Sequence, residues 1–598
     1  MVNFTACQAD FLNNATNLAL YSYHGPTEDI VAGDHHFITL KGCNKLCGTG
    51  SELYSWSIIG DTMITWVLPM LVMFLLAPFE PNQGRNTCFS SIRWIGSPFV
   101  SMWYVLCNIK VTGRCAEIVD MAVPYHSIPD EGSDFGDFRD AMAILGCMNQ
   151  YLLDTELMRE ETSSCAERVL RVALFGDLKL ESRGVTLRER RRKIAMTIRI
   201  RRRKGVVQIL IGLLWFLFIL GLSISFTFND IGEDSAGHNL AMGLAVSWIT
   251  PLVMGAVVDR NPTATKDLRV KFNRFWQEVR DALRDLQAEP KLLDGASDET
   301  EISQMPELGD CDLGALPDEI FVDFAGQGRL RWHRGIAHPI LTGIEKSHAA
   351  AHGRGWFNDQ ALARKALLVP FGPHGFRVSD RRLVFQAVGA FLIVYGNLAA
   401  GFLISFYTPT VGIGCRVMGY MVFAILTFSA ALGELCMEFV TAPTSMLRRL
   451  GHWSLFGLEC VNVCWLVAIT ILQTFGFYQT CFCLSASMGF GGGYIEFDDL
   501  GHDHTDDVLA IWSFGTVVAG TILLSSLVYI VTQWMEQSHL MTSDYDDARR
   551  GLVWTRRCRR ARGWVTLFPR KVAQGSYRLF QLLVNKKRAP PRRVRWST

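Results

Sequence analysis

Seven stretches of the sequence stay apolar for the length a helix needs to cross a bilayer, about 20 residues for roughly 30 Å of hydrocarbon. They run from Ser57 to Phe79, Val206 to Phe228, His238 to Val258, Leu383 to Tyr407, Gly412 to Leu435, Leu455 to Tyr478 and Leu509 to Gln533. Lipid offers the backbone no hydrogen-bond partners, so each stretch is predicted as a continuous helix that satisfies its own N–H and C=O groups. The second and seventh carry no charged residue, whereas the first holds Asp61 and the fifth Arg416 and Glu434. The pattern predicts an all-α integral membrane protein with seven transmembrane helices and helical cytoplasmic regions.

An eighth apolar stretch, Trp94 to Ile109, is short and contains Pro98. A crossing there would invert everything downstream, and the charge pattern argues against it. Residues 188–204 hold ten basic residues and one acid directly before the second span, and such a block stays cytoplasmic. With seven crossings the loops 229–237, 408–411 and 479–508 lie outside, and none contains Lys or Arg. The N-terminus is therefore expected outside and the C-terminus in the cytoplasm, in the plasma membrane or a secretory-pathway endomembrane. Residues 94–109 are read as an interfacial or re-entrant helix.

This topology leaves an outer tail (1–56), two cytoplasmic regions (80–205 and 259–382), an outer loop (479–508) and a basic cytoplasmic tail (534–598). Composition agrees: 598 residues with 49% hydrophobic and 19% charged are too apolar for a disordered chain and too long for a small disulfide scaffold. The net charge of +2 says little, because 59 Lys plus Arg and 57 Asp plus Glu are distributed unevenly. The opening MVNFTACQAD has no basic n-region followed by an apolar h-region, so no cleavable signal peptide is expected.

Outside residence gives the tail and loops specific chemistry. Asn3 and Asn14 head glycosylation sequons, so the protein is expected to be a glycoprotein. Cys7, Cys43, Cys47, Cys415, Cys481 and Cys483 fall outside or at the boundary, and six cysteines allow 15 connectivities. Tethering of the tail to the outer loops is favoured over bonds between sequence neighbours. The other ten cysteines show no CxxC spacing and no zinc pattern.

In the cytoplasmic regions, Leu268, Phe272, Phe275, Val279, Leu283 and Leu286 recur at three- and four-residue steps, the apolar stripe of an amphipathic helix. Packing on the protein itself is favoured over insertion into the lipid interface. Residues 288–317 read as an acidic, flexible linker. Gly326 and Gly328 lack the strand-to-helix setting of a nucleotide loop. Glu345, His348 and His352 share one helical face, and the outer segment FDDLGHDHTDD is rich in oxygen and imidazole ligands. Neither completes a recognisable metal site, and no metal or other cofactor is expected. Residues 549–598 carry 16 basic residues and no acid. Anionic lipid is the nearest polyanion for such a tail, which is favoured over nucleic acid.

Three consecutive spans carry polar faces: Gln386 and Asn397 on the fourth, Arg416 and Glu434 on the fifth, and Glu459, Asn462 and Gln473 on the sixth. Such groups face one another or water rather than lipid. They suit either a polar pathway or interhelical hydrogen bonding, and bonding is favoured.

The motifs CNKLCG (43–48), VVDRNP (257–262), GQGRLRWHRGIAHPIL (326–341), YTPTVGIGCR (407–416), QTFGFYQTC (473–481), GGYIEF (492–497), QWMEQSHL (533–540) and DYDDARRGL (544–552) resemble an uncharacterised family of multi-pass integral membrane proteins of filamentous fungi. The resemblance runs from about Gly42 to Arg550 and implies membrane residence, with no substrate, cofactor or catalytic residue. Without a nucleophile–base, HExxH or paired-carboxylate pattern, an enzyme is not expected. The favoured reading is a receptor-like or scaffolding membrane protein with cytoplasmic protein partners. The alternative is a transporter or channel with a polar pathway between the fourth, fifth and sixth spans.

Overall fold

The computed structural model describes residues 3–27, 36–77, 84–124, 129–130, 132–154, 157, 160–180, 185–201, 206–229, 234–259, 264–288, 311–325, 335–346, 353–370, 375–377, 382–439, 445–489, 492–497, 505–557 and 559. Seven helices are long and apolar enough to cross a membrane: Trp56–Leu75, Ile209–Phe228, Ser235–Val258, Arg382–Phe406, Cys415–Met437, Leu450–Thr474 and Leu509–Glu536. They coincide with the seven predicted stretches to within a few residues. The third is the most enclosed, 83% buried against 22% for the second, because it occupies the middle of the bundle. The second turns Trp215 and Phe218 outward, as a helix facing hydrocarbon should. Small residues allow close approach of backbones: a Cβ on Gly401 of the fourth span would lie 2.5 Å from the Ala241 carbonyl of the third.

Residues 84–122 form a helical hairpin, α1 (Gly84–Gly96) and α2 (Pro98–Ala122), that enters the bundle and returns to the end it came from. α1 packs along the sixth span and the N-terminal half of α2 packs on the third, fourth and seventh. The turn reaches the bundle's middle: the Gly96 carbonyl accepts a hydrogen bond (2.8 Å) from Asn462, twelve residues from either end of the sixth span. Phe99 meets Phe391 edge-on and lies tilted against Tyr395, midway along the fourth. Residues 94–109, expected as one helix, are instead divided by the turn at Ser97, and α2 is buried over nearly its whole length. Pro98 opens α2 where its missing N–H costs nothing. Gly96 is required, because a Cβ there would sit 2.5 Å from the Glu459 carbonyl.

At the end where α2 emerges, both intervening regions build one helical domain with a single core. It contains the C-terminal half of α2, α3 (Asp134–Met148), α4 (Glu160–Phe175), α5 (Leu187–Ile200) and α6 (Thr265–Ala288). A short ladder pairs Tyr151–Leu153 with Phe321–Phe324. The α6 stripe packs inward: Leu268, Phe272, Phe275, Val279 and Leu283 are all buried, so the protein's own core covers it rather than lipid. The arginine-rich block is largely consumed in ion pairs. On α5, Arg191 is fully buried against Asp137 (2.6 Å), Arg199 pairs with Asp140 (2.6 Å), Arg190 with Glu278 (3.0 Å) and Arg188 with Asp134. Asp134, Asp137 and Asp140 repeat every three residues on α3, so one helix face answers the other.

Near the end of α2, buried Asp120 accepts from Arg354 (2.7 Å), Arg556 (2.9 Å) and Arg559. Burial alone would raise its carboxyl, but hydrogen bonds from Arg354 and Arg556 and the charges of Arg354 and Arg559 hold it below the usual range. This knot fastens the helix at 545–557 to the domain. At the opposite end of the bundle, helices Phe4–Asn13 and Ala15–Tyr21 cap the spans, and Phe37–Thr39 pairs antiparallel with Tyr494–Glu496 of the loop after the sixth span.

Candidate functional site

The polar groups of the fourth to sixth spans gather into two clusters with apolar packing between them. The cluster toward the helical domain is centred on Arg93 of α1, 7% exposed. Its guanidinium donates to Glu459 of the sixth span at 3.3 Å and to Glu434 of the fifth. One arginine thus bridges two carboxylates that the sequence alone leaves without partners. Asn462, one turn deeper than Glu459, holds the hairpin tip through Gly96. Ser97, next in the turn, is fully buried.

The cluster toward the disulfide end joins the third, fourth, fifth and sixth spans. Gln473 donates to the His238 carbonyl (2.6 Å) and accepts from the Tyr420 hydroxyl (3.0 Å), while the His238 ring meets Ser405 (3.1 Å). Arg416, one turn above Tyr420, donates to the Tyr54 hydroxyl at 2.9 Å, which also accepts from Gln479 at 3.0 Å. Between the clusters lies a cavity lined by Met242, Leu398, Tyr420, Phe423, Thr470 and Gln473, with 10 Å³ open to the centre of a water-sized sphere. That is room for about one water molecule.

The remaining predicted polar residues stand apart. Asn397 is buried and donates to the Ile393 carbonyl of its own helix (2.7 Å), within the π-helical turn Leu392–Gly396. Gln386 is half-buried and joins neither cluster. Arg93, Tyr54, His238 and Ser405 escaped the sequence reading. For Arg93 a signal existed: a lone arginine beside a short apolar stretch, in a chain whose spans carry two unmatched glutamates.

At the disulfide end the six predicted cysteines stand in three pairs at disulfide distance: Cys7 with Cys47 (Cα–Cα 5.3 Å), Cys43 with Cys481 (5.9 Å) and Cys415 with Cys483 (4.7 Å). The second ties the N-terminal segment to the loop after the sixth span, and the third ties that loop to the start of the fifth span. Both sequon asparagines are exposed helix caps. Asn3 Oδ1 accepts from the Ala6 amide and Asn14 Oδ1 from the Thr16 amide, so neither cap bond uses the Nδ2 atom that a glycan would take.

Where the third span meets the helical domain, Asp259 is buried against neutral amides, accepting from Gln150 (3.1 Å) and Asn108 (3.4 Å). Burial pushes its carboxyl up to about 8 against the lowering effect of those two bonds. Glu345, considered above as a metal ligand, is engaged by Arg114 (2.9 Å) and Arg382 (2.8 Å). His348, His352, Gly326, Gly328, most of the acidic linker, the acidic segment 498–504 and the tail from 560 onward lie outside the described residues. No family model, curated protein or solved structure matches the chain.

Proposed function

We propose that the chain is a receptor-like membrane protein in which the state of the seven-helix bundle is passed to the helical domain. In this reading the disulfide-bearing end faces outward, the helical domain faces the cytoplasm, and the basic tail lies on anionic lipid. The observation that carries it is α2. Its Met102, Val105, Leu106 and Ile109 belong to the core of the bundle, and its Val111, Cys115, Val119 and Ala122 to the core of the helical domain. Close-packed interiors transmit displacement rather than absorb it, so a helix buried in both cores cannot move in one without repacking the other. The cytoplasmic partners expected of such a protein would read the domain's surface.

A transporter or channel has less support. Glu434, Glu459 and Asn462 are taken up by the hairpin and Gln473 by Tyr420 and the third span, and the cavity beside Tyr420 and Gln473 holds about a single water.

The two readings separate in one experiment on purified protein in nanodiscs. Asn462→Ala loosens the hairpin tip at the middle of the bundle. A relay predicts faster amide exchange in α3 and α5 of the distant helical domain. Unchanged exchange there, together with lost solute flux in vesicles, would favour transport.

A further inference from the structure

We infer that Arg416 is the centre of an anion site of halide size at the disulfide-bearing end of the bundle. Arg416 is 5% exposed, yet among the described residues its only hydrogen bond goes to the Tyr54 hydroxyl. Its Nε and Nη1 are buried without a partner, and no carboxylate pairs with it among the described residues. A guanidinium cannot shed its charge in a protein. A buried charge with no counter-ion is strongly unfavourable, and the other buried arginines described above all meet a carboxylate. Among the described residues, Arg416 therefore lacks the anion that its charge calls for.

Two further features draw an anion to the same place. Arg416 is the second residue of helix Cys415–Phe439, whose first N–H groups and positive dipole end lie beside it. Uncharged donors surround it as well. The Tyr54 hydroxyl accepts from both Arg416 and Gln479, so its own proton is left to donate. Tyr478 also feels the Arg416 charge, and its hydroxyl comes within 3.9 Å of where a Cβ on Gly419 would stand.

The surroundings set the size of the occupant. The segment bearing Tyr54 is pinned over the site by Glu52 N–H to the Gln479 carbonyl (3.0 Å) and Tyr54 N–H to the Phe475 carbonyl (3.3 Å). The Cys415–Cys483 pair closes another side. With Tyr54 held at 2.9 Å from the guanidinium and its segment pinned in place, a small monatomic ion such as chloride or bromide suits the crowded surroundings better than an organic carboxylate. The site does not depend on the relay proposed above, since occupancy is read at Arg416 and not in the helical domain.

The test is thermal unfolding of full-length protein in nanodiscs, with sodium chloride or bromide exchanged for sodium gluconate at constant ionic strength. The expected result is a saturable upward shift of the unfolding temperature with either halide. In Arg416→Gln the shift is lost, and the variant equals or exceeds the unsubstituted protein in gluconate because the unpaired charge is gone. Crystals soaked in bromide should show an anomalous peak within hydrogen-bonding distance of the Arg416 guanidinium, a readout that stands even where Arg416→Gln fails to fold. A halide shift that persists in Arg416→Gln, a shift with acetate and none with halide, or soaked crystals with no bromide at Arg416 would each overturn the assignment.

Discussion

The side-chain amide of Asn462 donates to the backbone carbonyl of Gly96 across 2.8 Å, at the midpoint of the sixth span. A turn between two helices exposes carbonyls that water would serve at a protein surface. In the middle of the bundle a side chain has to serve them. Asn462→Leu should destabilise the protein by about 1–3 kcal/mol, the cost of leaving a buried acceptor unsatisfied. Asn462→Gln, which keeps the donor on a longer arm, should recover part of that. Unfolding temperature in nanodiscs measures both.

Arg93 and its two glutamates predict an asymmetry between partners. Arg93→Leu leaves two buried carboxylates facing each other and should cost on the order of 3–5 kcal/mol, the range for breaking a buried ion pair from one side. Glu459→Gln should cost much less, because Arg93 keeps Glu434 and the new amide still accepts. Equal losses for the two substitutions would contradict the shared-charge arrangement.

The pH dependence of stability should carry the signature of Asp259. Its folded carboxyl titrates near 8, above its unfolded value of about 3.9, so the native state holds the proton more tightly than the unfolded chain. Stability must then fall as pH rises from roughly 4 to 8 and stay reduced above that window. Asp259→Asn removes this contribution. It should flatten the profile and make the variant more stable than the unsubstituted protein at alkaline pH, with the difference vanishing below pH 4.

The cysteine pairs predict a compact cap at the disulfide end. Under non-reducing conditions a thiol reagent should modify none of Cys7, Cys43, Cys47, Cys415, Cys481 and Cys483. Cys43→Ser should release the tail from the outer loop and speed proteolysis within 1–56, read by peptide mapping.

The spans were legible in the sequence because twenty apolar residues in a row have few other uses, and the cysteines because their distribution favoured long-range tethers. Two features were not legible, for a common physical reason. The arginine block at 188–204 reads by local charge only as a segment that stays cytoplasmic, because its partners Asp134, Asp137 and Asp140 lie about fifty residues away and only packing brings α3 and α5 together. Likewise Glu434 and Glu459 have no evident partner in the sequence, and only the fold brings Arg93 between them. Span-by-span polarity reports which groups need partners. It does not report that a seemingly peripheral hairpin supplies them, so the polar faces were open to being read as a pathway.

The re-entrant hairpin is the feature on which the bundle, its buried charges and the proposed relay all depend. Its most direct test is the sidedness of its two flanks. Single cysteines replacing the exposed Arg85, in the first turn of α1, and the exposed Asp130, after α2, are probed with a membrane-impermeant maleimide in a chain lacking other reactive thiols, using intact and opened cells. A hairpin that turns back at Gly96 predicts labelling of both positions from the same face of the membrane. Labelling from opposite faces would mean that residues 84–122 cross, and would contradict the account.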